Sequence, residues 1–244
     1  MPDRRHLLLG LSALPFALRA DPAPLQVVTG DLPPFAIEGQ GDRPGFLVEL
    51  TEALMAQAGW PVKVQFFPWA RAMQMALAQP RTLILPLTRT PEREPQYQWL
   101  VKLHVQHFAF ITRAGEPRVD TVEQARSRKL VVLRGSPNLA QLRRHGFADE
   151  RVAQAASVDD MLRMLEHGMA DAIYGGDLVN LYNARLSGRD PAGLQVGLTL
   201  ESGEVWLAAS SGVSEDERQR LLQAHATLQR NGAQDRIWAR YGVR

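Results

Sequence analysis

Five short stretches of the sequence place polar, charged or aromatic residues beside proline or glycine at the end of an apolar run. They read "TGDLPPF" (29–35), "FFPWAR" (66–71), "PLTRTPER" (86–93), "LRGSPN" (133–138) and "YGGD" (174–177). Such residues supply charge, directional hydrogen bonds and flat apolar faces. Because ligands gather outside the carboxyl ends of parallel strands, we expect these stretches to bind a small polar molecule in a shared cleft.

The first stretch has little conformational freedom, because it contains Leu32-Pro33-Pro34. The two prolines fix their φ angles and donate no backbone N–H. A residue that precedes a proline is disfavoured in the helical region. We therefore expect this segment to be extended and rigid, and to form a wall of the cleft that loses little ordering entropy when a ligand binds.

The stretch "PWARA" opens a predicted helix with Trp69 and Arg71. Trp69 either stacks on the face of a ligand or a cation, or packs between two parts of the fold. Arg71 either contacts an anion or is a surface charge of the helix. The sequence leaves both alternatives open.

Signs of catalysis or metal binding are few. The motifs G-x-S-x-G, H-E-x-x-H, G-x-G-x-x-G and G-x-x-x-x-G-K are absent from the sequence. His104 and His107 have no acidic residue near them in sequence, which argues against a metal site. Tyr174 is expected in the core. The sequence therefore predicts neither an enzyme nor a metal or other cofactor.

The 244 residues have the composition of an ordinary globular protein, with 45% hydrophobic and 22% charged residues, and fit one large domain or two smaller lobes. Cysteine is absent. This composition excludes disulfides, thiolate metal sites, cysteine nucleophiles and a lipid anchor on cysteine.

The first twenty residues predict a secretory signal peptide. A basic start at Arg4-Arg5 precedes a short apolar run, Leu7 to Leu18, and a small residue at Ala20. The alternative is an amphipathic first helix, but the run has no polar face. Removing residues 1–20 leaves 25 basic and 25 acidic residues, which gives no electrostatic support for a nucleic-acid partner. We expect a secreted, soluble, periplasmic protein that is not lipid-anchored, exported by the general or the twin-arginine route.

Two series of alternating strands and helices follow. The first has strands at 25–29, 62–67 and 82–87, with a helix from Gly45 and another from Trp69. The second has strands at 107–113, 129–135 and 170–176 and later strands "LQVGLTL" and "EVWLAAS", with helices started by Thr121, Ser157 and Ser214. Each series predicts a parallel sheet covered by helices.

The order of six motifs resembles the family 3 extracytoplasmic solute-binding proteins, which deliver polar amino acids to ABC importers. The motifs are "TGDLPPF", "GFLVELTEALMAQAGW", "PWARAMQMAL", "LTRTPERE", "LVVLRGS" and "ADAIYGGD", and the resemblance covers about residues 25–241. It implies an α/β fold of the bilobal, type II periplasmic-binding-protein kind, with two parallel-sheet-containing lobes joined by a two-strand hinge near Phe110 and Trp206. Lobe 1 would comprise residues 25–110 plus 207–244, and lobe 2 residues 111–206.

The resemblance also implies binding roles. Arg93 of "TPER" would bind a ligand carboxylate with two parallel hydrogen bonds, or else be a surface arginine. Thr88 would present a hydroxyl or backbone group to the ligand. Ser136 would hold an anion at the start of a helix, or only cap that helix.

Three further positions show where this chain follows the family and where it departs from it. Asp31 and Phe35 are kept in the first loop, with Leu32 in the place of an aromatic residue. Asp177 would pair with a ligand ammonium, although Gly176 stands at the family's acidic position and Asp177 is also placed as a helix cap. The nature of the ligand stays open.

These residues together predict a monomeric binding protein. It would capture a small polar, carboxylate-bearing ligand, an amino acid or a related molecule, in the cleft between its lobes and pass it to an ABC importer permease in the inner membrane. Two rivals share the fold. One is a cyclohexadienyl-type dehydratase, in which Asp31 or Asp177 protonates a leaving hydroxyl. The other is a ligand receptor that signals to a sensor protein.

Overall fold

The computed structural model describes residues 23–243 of the chain. The predicted signal peptide, residues 1–20, lies outside the described residues. Within the described part, no helix is both long and apolar enough to cross a membrane.

The described residues form eight strands and eight helices. The strands are β1 (Gln26–Thr29), β2 (Gln65–Phe66), β3 (Thr82–Thr88), β4 (Gln98–Arg113), β5 (Leu130–Leu133), β6 (Val152–Ala155), β7 (Ala172–Gly176) and β8 (Leu194–Ala209). The helices are α1 (Phe46–Gln57), α2 (Trp69–Ala78), α3 (Val122–Arg126), α4 (Asn138–Arg144), α5 (Val158–Glu166), α6 (Asp177–Leu186), α7 (Glu215–Arg230) and α8 (Ala233–Arg240).

The strands join into one sheet with the order β2-β1-β3-β8-β4-β7-β5-β6. Strands β1, β2 and β3 are parallel to one another at one end, and β5, β6 and β7 are parallel at the other end. Between them β4 and β8 run antiparallel to each other and to their outer neighbours. This arrangement confirms the predicted bilobal α/β fold.

The two central strands are longer than the sequence predicts, since each has 16 residues. The two predicted late strands are one continuous strand, β8. Trp206 of β8 pairs with Leu87 of β3, in the first parallel set. Phe110 of β4 pairs with Tyr174 of β7, in the second parallel set. Each central strand therefore passes from one parallel set to the other. The parallel set β1–β3 with its helices is called lobe 1 below, and the set β5–β7 with its helices is called lobe 2. The predicted residue boundaries of the lobes stay a prediction.

The "TGDLPPF" loop is held by the start of α1. Its carbonyls accept hydrogen bonds from the first N–H groups of that helix: Pro34 O from Phe46 N at 3.0 Å, and Phe35 O from Leu47 N at 3.1 Å. Gly45 has a φ of 100°, and a Cβ there would lie 2.5 Å from Phe35 O, so only glycine fits. The loop thus satisfies N–H groups that a side-chain cap would otherwise serve.

The expectation that residues 32–34 are extended is wrong. Leu32 and Ala36 pair across a tight turn, with Leu32 N donating to Ala36 O at 2.9 Å and Phe35 N donating to Leu32 O at 3.0 Å. The prolines fix φ but leave ψ free, and the hydrogen bonds to α1 select the turn.

Candidate functional site

A cavity of about 570 Å³ lies between the two parallel ends of the sheet. Its wall is built from the β1–α1 loop, the start of α2, the end of β3, the middle of β4, the β5–α4 turn, the start of α5, the end of β7 and the first turns of α6. Both lobes contribute to it, and its volume suits a small molecule.

The structure brings five of the eight predicted ligand-binding residues into this wall: Asp31, Trp69, Thr88, Arg93 and Ser136. Phe35, Arg71 and Asp177 are not part of it. That the five contact a ligand stays a prediction.

Arg93 spans the cleft. Its Nη1 donates to Thr88 O at 3.0 Å in lobe 1, and its Nη2 donates to Gly135 O at 2.9 Å in lobe 2. Burial lowers the pKa of Arg93, while Tyr97 and Glu92 act in the opposite direction. Both hydrogen-bond acceptors are neutral carbonyls, and no carboxylate of the described residues forms a salt bridge with it. A partly buried cation that forms no salt bridge favours an anionic ligand.

The turn after β3 fixes the position of Arg93. The backbone N–H groups of Arg93 and Glu94 donate to Thr90 O at 3.1 and 2.9 Å. Arg93 N also lies 3.3 Å from Thr90 Oγ1. The sequence "TPER" thus forms a compact turn that directs the guanidinium across the cleft, and the buried Thr88 supplies its carbonyl.

Ser136 serves the turn between β5 and α4. Its Oγ donates to Leu133 O at 2.6 Å and accepts from Asn138 N at 3.3 Å. Ser136 thus holds the turn before α4, whose N-cap is Pro137, and it also lines the cavity.

Trp69 lies between the lobes as well as in the cavity wall. A Cβ at Gly135 of lobe 2 would be 3.5 Å from Trp69 Cδ1, and a Cβ at Gly30 of lobe 1 would be 3.2 Å from Trp69 Cβ. The absence of side chains at both glycines lets the indole pack closely against backbone on two sides. Both alternatives that the sequence left open for Trp69 are compatible with this place.

Three of the predicted residues lie outside the cavity wall. Phe35 is fully buried and packs edge-on against Phe46 at 5.4 Å and His104 at 5.6 Å, because an apolar ring is more stable in the core than beside polar ligand groups. Arg71 is exposed and lies over the ring of Phe67 at 5.0 Å. Asp177 begins α6, where its carboxylate accepts from Leu178 N at 2.6 Å and faces the positive end of the helix.

Four carboxamides in the cavity wall were missed by the sequence analysis: Gln106, Asn138, Asn180 and Asn183. Gln106 lies in β4, and Asn180 and Asn183 lie in α6, whereas Asn138 ends the stretch "LRGSPN" and begins α4. The available signal was a polar residue on an otherwise buried face, since Gln106, Asn138 and Asn180 are each less than one tenth exposed. Such residues need hydrogen-bond partners, and a ligand can supply them.

Two other contacts close the lobes over the cavity. Asn183 Nδ2 of α6 donates to Pro33 O of the first loop at 3.0 Å. Arg144 of α4 forms a salt bridge with Glu92 at 3.1 Å. These contacts and the Arg93–Gly135 bond all join lobe 1 to lobe 2.

Elsewhere in the described chain, no group of three or more histidine, aspartate and glutamate residues could hold a metal ion. His104 lies among the rings of Phe35, Phe46 and Trp238, and burial lowers its pKa. Packing accounts for this histidine without a ligand.

Comparison with known families gives one match that covers nearly the whole described chain. The model of the bacterial extracellular solute-binding proteins, family 3, matches residues 25–243. A comparison with curated proteins finds no significant match.

Many solved structures share the fold. A histidine kinase sensor domain with similarity to periplasmic binding proteins is 21% identical with a TM-score of 0.79, covering 89% of this chain and 95% of that one. The GluR0 ligand-binding core from Nostoc punctiforme, in complex with L-glutamate, is 21% identical with a TM-score of 0.74, covering 89% and 99%. An ABC uptake transporter substrate-binding protein from Streptococcus pneumoniae with bound histidine is 17% identical with a TM-score of 0.76, covering 88% and 91%.

Proposed function

The chain belongs to family 3 of the bacterial extracellular solute-binding proteins, and on that premise we propose that it captures a small carboxylate-bearing ligand in the cavity between its lobes. The observation that carries the proposal is Arg93, a partly buried cation in the cavity wall whose hydrogen-bond acceptors are both uncharged. A guanidinium has five N–H donors in a planar fork, so donors remain for a carboxylate beside the two observed bonds.

Binding and closure would be coupled through the same side chain. Arg93 belongs to lobe 1 but donates to Gly135 O of lobe 2. A ligand anion beside the guanidinium neutralises its charge and stabilises the closed arrangement in which this bond forms. Closure by hinge motion of the long strands β4 and β8 would then bury the ligand.

We further propose that the ligand-bound protein acts in the periplasm as a monomer and delivers its ligand to an ABC importer permease in the inner membrane. The similarity to an ABC uptake transporter substrate-binding protein supports delivery of the ligand to such a permease. A receptor role towards a sensor protein is the second candidate, supported by the similarity to a histidine kinase sensor domain. Ligand-dependent uptake by a co-expressed permease and ATPase separates transport from signalling.

The charge of Arg93 can be tested with the variant Arg93→Gln, which keeps hydrogen-bonding capacity but removes the cation. We expect it to lose at least tenfold in affinity for carboxylate ligands, because hydrogen bonds to charged groups contribute about 1.5–3 kcal/mol each. A thermal-shift screen of amino acids and organic acids identifies ligands, and calorimetry measures their affinity.

The matched control is Arg118→Gln, which removes an exposed arginine that pairs with Asp120 outside the cavity wall. Its affinity should equal that of the wild type. Unchanged affinity in Arg93→Gln would reject the proposed role. Nuclear magnetic resonance of the ligand after incubation tests the enzymatic rival, since a binding protein returns the ligand unaltered.

A further inference from the structure

Two of the three acidic residues of the described cavity wall lie at its exposed rim. Asp31 and Glu38 are both exposed, and Asp31 Oδ1 accepts from Glu38 N at 3.0 Å. Arg134, also exposed, adds a positive charge at this rim. Water and dissolved ions screen these groups, so they contribute little to selection inside the cavity.

The remaining acid, Asp159, is already neutralised. Its two carboxylate oxygens form salt bridges with Arg163 at 2.7 Å and with Arg189 at 2.6 Å. Of the charged residues in the described cavity wall, Arg93 therefore remains as the one that is partly buried and forms no salt bridge. The interior favours a ligand of net negative charge.

The interior also contains two hydrogen-bond acceptors without donors. Asn138 and Asn180 are 3% and 1% exposed, and their Nδ2 groups donate to Tyr174 O at 2.7 Å and Gly176 O at 2.8 Å. The Oδ1 atom of each has no partner among the described residues. An unsatisfied buried acceptor costs about 1–3 kcal/mol, so a ligand that brings N–H or O–H donors is favoured.

A third carboxamide lies beside them at the end of β7. A Cβ at Gly176 would lie only 1.6 Å from Gln106 Nε2, so the glycine leaves the space that this side chain fills. Gln106 is 8% exposed and belongs to the cavity wall. This part of the wall thus presents uncharged amides where a carboxylate would be needed to bind a cation.

We propose, resting on the proposed function, that the ligand is an organic acid whose carboxylate binds Arg93 and whose other polar groups are hydroxyls, so that hydroxy acids are preferred over amino acids of the same carbon skeleton. A hydroxyl donates to a neutral amide oxygen without carrying charge. An ammonium group would also donate. It would, however, be buried near the positive charge of Arg93, with no unpaired carboxylate of the cavity interior to neutralise it, and this is costly. The cavity thereby selects against zwitterions.

The proposal is tested with pairs of ligands that differ only in a hydroxyl or an ammonium group. The pairs are lactate and alanine, malate and aspartate, 2-hydroxyglutarate and glutamate, and phenyllactate and phenylalanine, measured with the wild-type protein by thermal shift and calorimetry. We expect at least one hydroxy acid to bind, at least tenfold more tightly than its amino partner, and Arg93→Gln to abolish that binding.

The outcomes separate this inference from the proposed function. Amino acids that bind more tightly than their hydroxy partners, with binding lost in Arg93→Gln, overturn the inference and leave the carboxylate-binding function standing. Hydroxy acids that bind equally well to Arg93→Gln overturn the function. Absence of binding by every hydroxy acid overturns the inference.

The variant Gln106→Glu tests the neutral amide directly. It is nearly isosteric and places a negative charge beside Gly176, so we expect the preference for the hydroxy acid to fall at least tenfold or to reverse. The control Gln229→Glu makes the same exchange at an exposed position of α7 and should leave the preference unchanged. An unaltered preference in folded Gln106→Glu contradicts the assigned role of Gln106.

Discussion

At the scale of single residues, the sequence located side chains at the ends of strands and missed the carboxamides of the cavity wall. Arg93 and Thr88 were found because they follow a strand end in a recognisable motif, and both line the cavity. Asn180 could not be found in this way, because its importance depends on Gln106, which is distant in sequence and meets Gly176 only in the folded chain. The spacing of residues along the sequence does not show which distant residues become neighbours when the chain folds.

Phe35 was predicted to bind the ligand, but it lies outside the cavity wall, and its position yields a prediction. Because its ring is fully buried against Phe46 and His104, we expect Phe35→Leu to lower the free energy of unfolding by about 1–2 kcal/mol. Ligand affinity should stay within about twofold of the wild type. Urea unfolding measures the first effect and calorimetry the second. A tenfold loss of affinity at unchanged stability would show instead that Phe35 contributes to ligand binding.

At the scale of helices and strands, local signals predicted helix starts accurately. Thr121 with Gln124 and Ser214 with Glu217 form complete capping boxes, and Ser157 caps α5. The length of β8 was missed because "ESG" (201–203) separates two apolar runs that were predicted as different strands. Its extended form is imposed by pairing with β4, where Gly203 lies opposite Gln106. Tertiary pairing overrides weak strand propensity.

The capping box of α7 predicts a dependence of stability on pH. The pKa of Glu217 is lowered from the ordinary 4.5 to about 2. The main cause is its hydrogen bond with Arg81, and the hydrogen bonds from Ser214 lower the pKa further. Glu217 is mostly buried, with its side chain 15% exposed. A carboxylate with a lowered pKa stabilises the fold above its unfolded pKa, and this contribution disappears as pH falls from about 4.5 to about 2.

We therefore expect Glu217→Gln to lower the free energy of unfolding by about 1–3 kcal/mol at pH 7, and the difference from the wild type to vanish near pH 2. Urea unfolding at a series of pH values measures it. The matched control is Glu215→Gln, in the same helical turn but with its side chain 65% exposed, where solvent screening makes the effect smaller. Equal losses in both variants at pH 7 would contradict the argument.

At the scale of the whole molecule, the sequence predicted the two lobes but not what joins them when the cleft is closed. Contacts between residues far apart in sequence do this, among them Asn183 with Pro33 and Arg144 with Glu92. Arg144 also forms a salt bridge with Glu201 of β8 at 3.0 Å. One side chain of α4 thus holds lobe 1 and a central strand at once.

The closed population should respond to Arg144. A ligand whose binding requires the closed form loses apparent affinity in proportion to any loss of that form. Exposed salt bridges contribute up to about 1 kcal/mol, so we expect Arg144→Gln to weaken ligand binding about two- to fivefold. The radius of gyration without ligand should rise in small-angle scattering, because more molecules are open.

The neighbouring residue supplies the control for this prediction. Arg143 pairs with Asp149 within lobe 2, so Arg143→Gln removes the same charge from the same helix without touching lobe 1. Equal effects of the two variants would show that the net charge of α4, rather than the bond to Glu92, sets the affinity. A loss confined to Arg144→Gln, and diminished in 1 M salt where the screening length is about 3 Å, would assign the stabilisation of the closed form to the salt bridges of Arg144 with Glu92 and Glu201.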